Sequence, residues 1–366
     1  METYTALAEF YKNKRVLVTG HTGFKGSYLC RILLGFGANV LGYSLPAPTE
    51  PAVFDILKAG ENGFEKAAAG GRFTSVIADI RDRKMLLSVF SDFKPEIVFH
   101  LAAQPIVRTS YEDPCGTYET NVLGTVNICE AVRLTPSVKS FLNVTTDKVY
   151  KNDETGEAFT EDMPLDGFDP YSNSKSCSEL VTHSYINSFF RDMKLPVSTA
   201  RAGNVIGGGD FAKDRILPDC YRACVKGVPV EVRNPYSTRP FQHVLEPLAI
   251  YLTIAKAQFS DYEKAGFYNV GPDDCDCVNT GELCDLFVKY WGGGASWINK
   301  SVGGPHEAGF LKLDSSLIKK TFDYKPVWHV DEAVKRTALW YKAFSEGLDM
   351  GEYTDRQILD FFGGNK

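Results

Sequence analysis

The chain has 366 residues, 44% hydrophobic and 23% charged, the balance of a globular protein large enough for two domains or one large α/β unit. Its net charge of -6 is small and scattered, which argues against a nucleic-acid surface. No apolar run nears the ~20 residues of a membrane span, and "METYTALAEFYKNKR" carries Glu2 and Glu9 where a signal peptide needs an unbroken apolar stretch, so neither is expected. The nine cysteines show no framework spacing, and several fall in apolar or helical runs, so reduced thiols in a cytoplasmic protein are expected. "CDC" at 275–277 has neither a histidine nor a second cysteine pair at zinc-like spacing, and no metal is expected.

From Arg15 onward, short β-branched runs alternate with helical patterns. "RVLVTG", "NVLGYSL", "TSVIAD", "EIVFHLAA", "SFLNVTT" and "PVSTARAG" read as buried strands, with helices after the first and at about 82–92, 115–134 and 171–193. Strict alternation predicts βαβ units in a doubly wound, Rossmann-type parallel sheet, with helices on both faces. After about 204 the rhythm breaks into Gly, Pro and mixed-charge segments, with helices near 214–226, 244–258, 280–291 and 331–346. The expected division is a dinucleotide-binding domain over 1–203, rejoined by about 238–270, and a smaller α+β domain made mainly of 204–366. Ligands of open α/β sheets lie beyond the carboxyl ends of the strands, so the site is expected between the two parts.

The first strand runs into "VTGHTGFKG", which places Gly20, Gly23 and Gly26 at the turn into the first helix, with Phe24 and Lys25 between. Such a turn lets a pyrophosphate approach backbone N–H groups at a helix amino end. The bland reading is a tight strand-to-helix turn, but strand, glycines and helix occur together in the required order. The second strand ends without the acidic residue that binds an adenosine ribose, leaving Tyr43 and Ser44 as substitutes and favouring NAD only weakly over NADP. Asp79 and Ile80, after the third strand, could hold the adenine; the alternative for Asp79 is a helix N-cap before "RDRKML".

"DPYSNSKSCSEL" puts Tyr171 and Lys175 at i, i+4 on one face of a helix, placed on the sixth βα unit. A cation beside a phenol lowers its pKa from ~10 toward neutrality, and a phenolate is suited to taking a hydroxyl proton while the carbon loses hydride. Alone, the pair is more often an exposed helix pair. Downstream of a glycine loop it becomes specific.

With these residues in view, the sequence resembles the extended short-chain dehydrogenases/reductases that act on nucleotide sugars. The shared features are "TGFKG", "HLAA" (His100, Leu101, Ala102, Ala103), Asn121 in "NVLGT", and "RAGNV" at 201–205. The fifth strand ends in "TTDK", where the family's epimerases carry a small residue after Ser-Ser or Ser-Thr and its 4,6-dehydratases carry Thr-Asp-Glu. With "AAQPIVRTSYEDP", "RAGNVIGGGDFAKDRILPD" and "RNPYSTRPFQHVLEPL", the chain is similar to the CDP-glucose branch of the 4,6-dehydratases from about residue 10 to 345.

The resemblance implies a redox-neutral lyase, with NAD as cofactor and CDP-glucose as substrate. C4 is oxidised with Tyr171 as base, Lys175 and Asn121 in support and Thr146 orienting the oxygen. Asp147 and Lys148 then serve the loss of water across C5 and C6, and hydride returns to C6. An ordinary lysine is protonated and an ordinary aspartic acid ionised at pH 7, so Lys148 stands either as base with Asp147 as acid, or as a fixed charge on the enolate while Asp147 or a water moves the protons. The resemblance further implies a substrate site with Gln104, Arg108, Asn204, Lys213, Arg215, Arg233, Arg239 and His306, and a homodimer through the 115–134 and 171–193 helices. Competing readings are a 4-epimerase, a 4,6-dehydratase for another nucleotide hexose, and a non-catalytic NAD-binding regulator.

Overall fold

A computed structural model describes residues 2–58, 63–67, 69–154, 156–301 and 311–363. Its strands in chain order are β1 (Arg15–Thr19), β2 (Asn39–Ser44), β3 (Arg72–Ile77), β4 (Ile97–His100), β5 (Ser140–Thr146), β6 (Val197–Ala202), β7 (Asn204–Ile206), β8 (Val230–Val232), β9 (Thr238–His243), β10 (Phe267–Val270), β11 (Cys277–Asn279) and β12 (Trp297–Asn299). Seven of them form one sheet in the order β10-β6-β5-β4-β1-β2-β3, and every adjacent pair in it is parallel. Central strands are covered on both faces, and β5 is buried at every position whereas edge strand β3 is not. The α/β class and doubly wound arrangement are those expected.

Three local departures from the expected pattern bear on the site. The Tyr171 helix, Pro170–Tyr185, follows β5 and so belongs to the fifth βα unit, not the sixth, because the run read as the sixth strand comes after it. The 115–134 helix is three pieces, Pro114–Tyr118, a π-turn at Glu119–Leu123 and Gly124–Arg133; such turns occur often at functional positions, and this one contains Asn121. Finally, β10 returns to the large sheet beside β6, whereas β9 stays in a three-stranded sheet with β7 and β11.

Strand order reverses where β1 lies between β2 and β4, which opens the crevice of this architecture at their carboxyl ends. Register then decides what overhangs it. β4 ends at His100, paired with Asn143, while β5 continues beside β6 until Thr146 meets Ala202. Those further residues, at ~3.3 Å each, carry Thr146 about 10 Å beyond the end of β4.

Candidate active site

At the end of β1, Gly20 has φ +75°, a conformation that L side chains rarely adopt, and a Cβ there would stand 2.8 Å from the Ala102 nitrogen. A Cβ on Gly26 would stand 2.1 Å from the Gly20 carbonyl oxygen, so only glycine lets the helix sit this close. Gly23 is the N-cap of Phe24–Gly35 and no side chain caps it. A Cβ on Gly23 would meet only the Gly20 oxygen, at 3.4 Å, so the space above this residue is open. An uncapped helix amino end under an open glycine face fits a dinucleotide pyrophosphate.

Thr19, which the sequence reading passed over, binds this floor together. Its Oγ1 accepts from the Leu101 and Ala102 nitrogens at 3.1 Å each and lies 2.8 Å from His100 Nδ1. Burial, then the charge on Lys175, pushes His100 down to about 3, so its imidazole is neutral. At the other end of the crevice, the Tyr43 hydroxyl donates to the Asp79 carbonyl at 2.9 Å and Ser44 Oγ lies 2.9 Å from Thr22 Oγ1. The Asp79 carboxylate pairs with Arg81 at 2.7 Å and is held below the usual carboxylate range by hydrogen bonds from that guanidinium. Asp82, not Asp79, caps the helix Arg83–Phe93, accepting from the Met85 nitrogen. The Ile80 carbonyl accepts from Asn127 at 3.0 Å.

Asp169 and Pro170 determine where the Tyr171 helix begins. The Asp169 carboxylate accepts from the Ser172 nitrogen at 3.0 Å, and Pro170 takes the first helical position, where its missing N–H costs nothing. Tyr171 and Lys175 therefore occupy the first turns and are both buried. The Lys175 ammonium donates to the Val144 carbonyl at 3.2 Å, and burial pushes it down to about 8. The expected lowering of Tyr171 is not found. Burial drives its phenol up to about 12; Thr146 and Arg215 pull it down, and Asp147 adds to the rise. Asn121 reaches this helix through Ser174, to which its Nδ2 donates at 2.9 Å, while it clamps the Gln104 backbone at 2.8 and 3.1 Å.

Thr146, Asp147 and Lys148 sit at the overhanging end of β5. Thr146 Oγ1 donates to Asp147 Oδ1 at 3.0 Å, and Lys148 Nζ lies 3.6 Å from the same oxygen. The Asp147 side chain is 2% exposed, and its Oδ2 has no hydrogen-bond partner among the described residues. A buried carboxylate oxygen left unbonded is costly, and costs of this kind concentrate at reacting centres. A Cβ on Gly203, just past β6, would stand 3.3 Å from that oxygen, so this glycine leaves it room. Lys25 lies in the same field: burial, Lys175 and Arg215 push its ammonium down to about 7 against the pull of Asp147.

Of the residues assigned to a substrate, three pair with two carboxylates. Arg108 and Arg233 converge on Asp214 at 3.3 and 2.7 Å, with exposed Lys213 next to it in the chain, and Arg215 pairs with Asp210 at 2.7 Å. Arg239 is buried and donates to the Thr238 carbonyl at 2.9 Å. Asn204 begins β7 opposite Phe241. The Gln104 side chain is engaged within its own loop, bonded to Ile106 at 2.6 and 3.1 Å and to Thr117 at 2.9 Å. His306 lies outside the described residues.

The sequence reading also missed Glu179, one turn beyond Lys175 and fully buried. It accepts from Thr145 at 2.5 Å, Thr199 at 2.8 Å and Arg201 at 3.0 Å, tying the Tyr171 helix to β5 and β6. Its i+4 spacing from Lys175 was the available signal.

A parallel sheet with a glycine loop at its switch point, a buried Tyr-Lys pair and a carboxylate at the overhanging strand define a dinucleotide-dependent enzyme of the short-chain dehydrogenase type. The chain belongs to the family described as GDP-mannose 4,6 dehydratase, whose model matches residues 17–337. It is 44% identical to the CDP-glucose 4,6-dehydratase of Salmonella typhimurium over 358 residues, 96% of this chain and 97% of the relative. It is 25% identical to the dTDP-glucose 4,6-dehydratase of Haemophilus influenzae, covering 89% of this chain and 97% of the relative. The fold is that of an epimerase from Methanothermobacter thermautotrophicus, with a TM-score of 0.76, 23% identity and coverage of 94% and 98%. It is also that of dTDP-glucose 4,6-dehydratase from Bacillus anthracis in complex with NAD, with a TM-score of 0.72, 20% identity and coverage of 92% and 98%.

Proposed function

We propose that this chain dehydrates CDP-D-glucose to CDP-4-dehydro-6-deoxy-D-glucose. The observation that carries the reading is Asp147, buried at the overhanging end of β5, with Oδ1 3.6 Å from Lys148 and Oδ2 unbonded among the described residues. An epimerase needs no acid–base pair there, whereas elimination of water does. The relative from Salmonella typhimurium, at 44% identity over nearly the whole chain, supports the cytidine nucleotide.

Gly20, Gly23, Phe24, Lys25, Gly26, Tyr43, Ser44, Asp79, Ile80, Leu101, Ala102, Ala103, Asn121, Tyr171 and Lys175 would hold NAD, which when bound would supply the acceptor for hydride from C4 and the donor for its return to C6. Tyr171 takes the proton of the C4 hydroxyl, and Thr146 holds that oxygen in line. The ketone at C4 acidifies the C5 proton, which an unactivated sugar would not release. Asp147 delivers a proton to the departing C6 hydroxyl and Lys148 removes the C5 proton, or Lys148 stays charged against the enolate while Asp147 or a water moves the protons. The diphosphate falls to Arg108, Lys213, Arg215, Arg233 and Arg239, with Asn204 on its first phosphate, since a dianion needs converging guanidinium donors. Residues 1–203, rejoined by about 238–270, whose helix Leu245–Ser260 bonds to Ser140 and Phe141, form the cofactor half, and the rest of 204–366 the sugar-nucleotide half.

Exposed Leu123, Leu180 and Phe189 on the 114–133 and 170–190 helices, with Leu134 at the end of the first, support a homodimer through the 115–134 and 171–193 segments. Nine free cysteines suit a reducing, cytoplasmic compartment. No helix among the described residues is long and apolar enough to cross a membrane.

The test is mass spectrometry after incubation with NAD and, separately, CDP-, UDP-, dTDP- and GDP-glucose deuterated at C4. Loss of one water with the deuterium kept, for CDP-glucose alone, is the expected result. Unchanged mass with inverted C4 means an epimerase, and turnover of another nucleotide reassigns the substrate.

A further inference from the structure

The cysteines at 275 and 277 acquire in the fold the histidine that their surroundings in sequence lack. His329, the N-cap of the helix Val330–Ser345, comes from more than fifty residues downstream to face the short turn Asp274–Asp276. Its Nδ1 lies 3.7 Å from Cys275 Sγ and 3.0 Å from Asp276 Oδ2. One ligand atom from each of the three residues falls within 4.8 Å of the others. Zinc bonds of about 2.3 Å to sulfur and about 2.0 Å to nitrogen and oxygen set tetrahedral ligand atoms roughly 3.2–3.6 Å apart. The observed nitrogen separations match that within a few tenths of an ångström.

The carboxylate is already fixed for such a role. Asp276 is 1% exposed, and its Oδ1 accepts from the Val330 nitrogen at 2.7 Å, which leaves Oδ2 pointing at the imidazole. A ligand oriented by a backbone hydrogen bond is the outer-shell arrangement that metal sites use. Cys275 and His329 stand at the surface, so an ion has a path in and an open position for water. Thiolate, imidazole and carboxylate together select a borderline-soft ion of the zinc class over magnesium or calcium.

We propose that Cys275, Asp276 and His329 form a three-ligand site for a divalent ion of the zinc class, separate from the catalytic crevice. Binding breaks the imidazole–carboxylate hydrogen bond, leaves the imidazole proton on Nε2 with any second one passing to solvent, releases the Cys275 thiol proton to solvent and forms three metal–ligand bonds. It also fastens the start of β11, where Val278 pairs with Arg239 of β9, to the helix after His329. Occupancy therefore restrains the strand that carries Arg239.

The experiment uses the full chain, stripped with chelator and kept reduced, with cobalt(II) as the probe. A single equivalent is expected to give a thiolate charge-transfer band with tetrahedral visible bands, and zinc is expected to displace it. Cys275→Ser and His329→Gln are expected to lose the band and Cys277→Ser to keep it, with thermal melts showing all three folded. No band in the wild type overturns the site. So does a band that survives Cys275→Ser or His329→Gln, which would place the ion on other thiols.

Discussion

Glu179 and Arg201 form an ion pair of 3.0 Å with both side chains withdrawn almost completely from solvent. The pair joins the helix of Tyr171 and Lys175 to β6, and Arg201 continues to the Tyr150 hydroxyl at 2.7 Å. Removing one member of such a pair strands the other charge in a low-dielectric interior.

Glu179→Gln is therefore expected to cost about 3–5 kcal/mol of stability, read by urea unfolding at pH 7. Burial alone would raise this carboxyl, but His183, Arg201 and Thr145 outweigh it and hold it at about 2. A depressed pKa contributes stability above the unfolded value of ~4.3 that disappears as pH falls toward the folded one. The wild type should thus lose more stability than Glu179→Gln between pH 5 and pH 2. Equal losses would show that the pair is not the source.

Tyr171→Phe removes the proton acceptor and leaves the packing. Turnover should fall by roughly 10²–10⁴-fold with thermal stability close to that of the parent. A loss of less than about tenfold would remove Tyr171 from the proposed role.

Tyr171 must give up its proton to act, and Lys175 must keep its own. With the phenol at about 12 and the ammonium at about 8, the active fraction rises with pH up to about 8. Above that, loss of charge on Lys175 offsets the continued gain of phenolate, and the profile flattens. Single-turnover C4 oxidation should show this break near pH 8, and Lys175→Met should rise without one. A break kept in Lys175→Met would assign it to another group.

Two substitutions separate the roles left open for Lys148. If it removes the C5 proton, Lys148→Arg and Lys148→Met should both abolish exchange of C5 hydrogen with deuterated solvent. If it holds charge against the enolate, Lys148→Arg should keep exchange within about tenfold while Lys148→Met loses it. Asp147→Asn should allow C4 oxidation and exchange, yet lower water loss by roughly 10²-fold or more.

Leu180 is 52% exposed on the Tyr171 helix. Leu180→Arg places a charge in the proposed subunit interface and should convert a dimer to monomers in light scattering. An unchanged dimer would move the interface elsewhere.

Local spacing made much of this protein legible in its sequence. Alternating β-branched and helical runs announced the six parallel strands from Arg15 to Ala202, because strand and helix periods depend only on neighbouring residues. Glycine at 20 and 26 was legible for the same reason: a turn with φ +75° and a helix packed on that turn each exclude a side chain. Tyr171 and Lys175 were legible as a pair because four residues make about one helical turn.

What only the tertiary structure decided depends on residues far apart in the chain. Phe267–Val270 enters the large sheet because β6 has an open edge there, a fact that no local pattern carries. The pKa of Tyr171 is high because surrounding elements bury it, which outweighs the helix neighbour that spacing suggested would lower it. Asp147 has its unbonded oxygen because β5 outruns β4 in register and Gly203 leaves space above it. Cys275 and His329 meet only after the chain has closed on itself. Sequence alone determined which elements form and which chemistry they carry, since both follow from short-range spacing; burial and long-range register decided which charges are isolated and which groups touch.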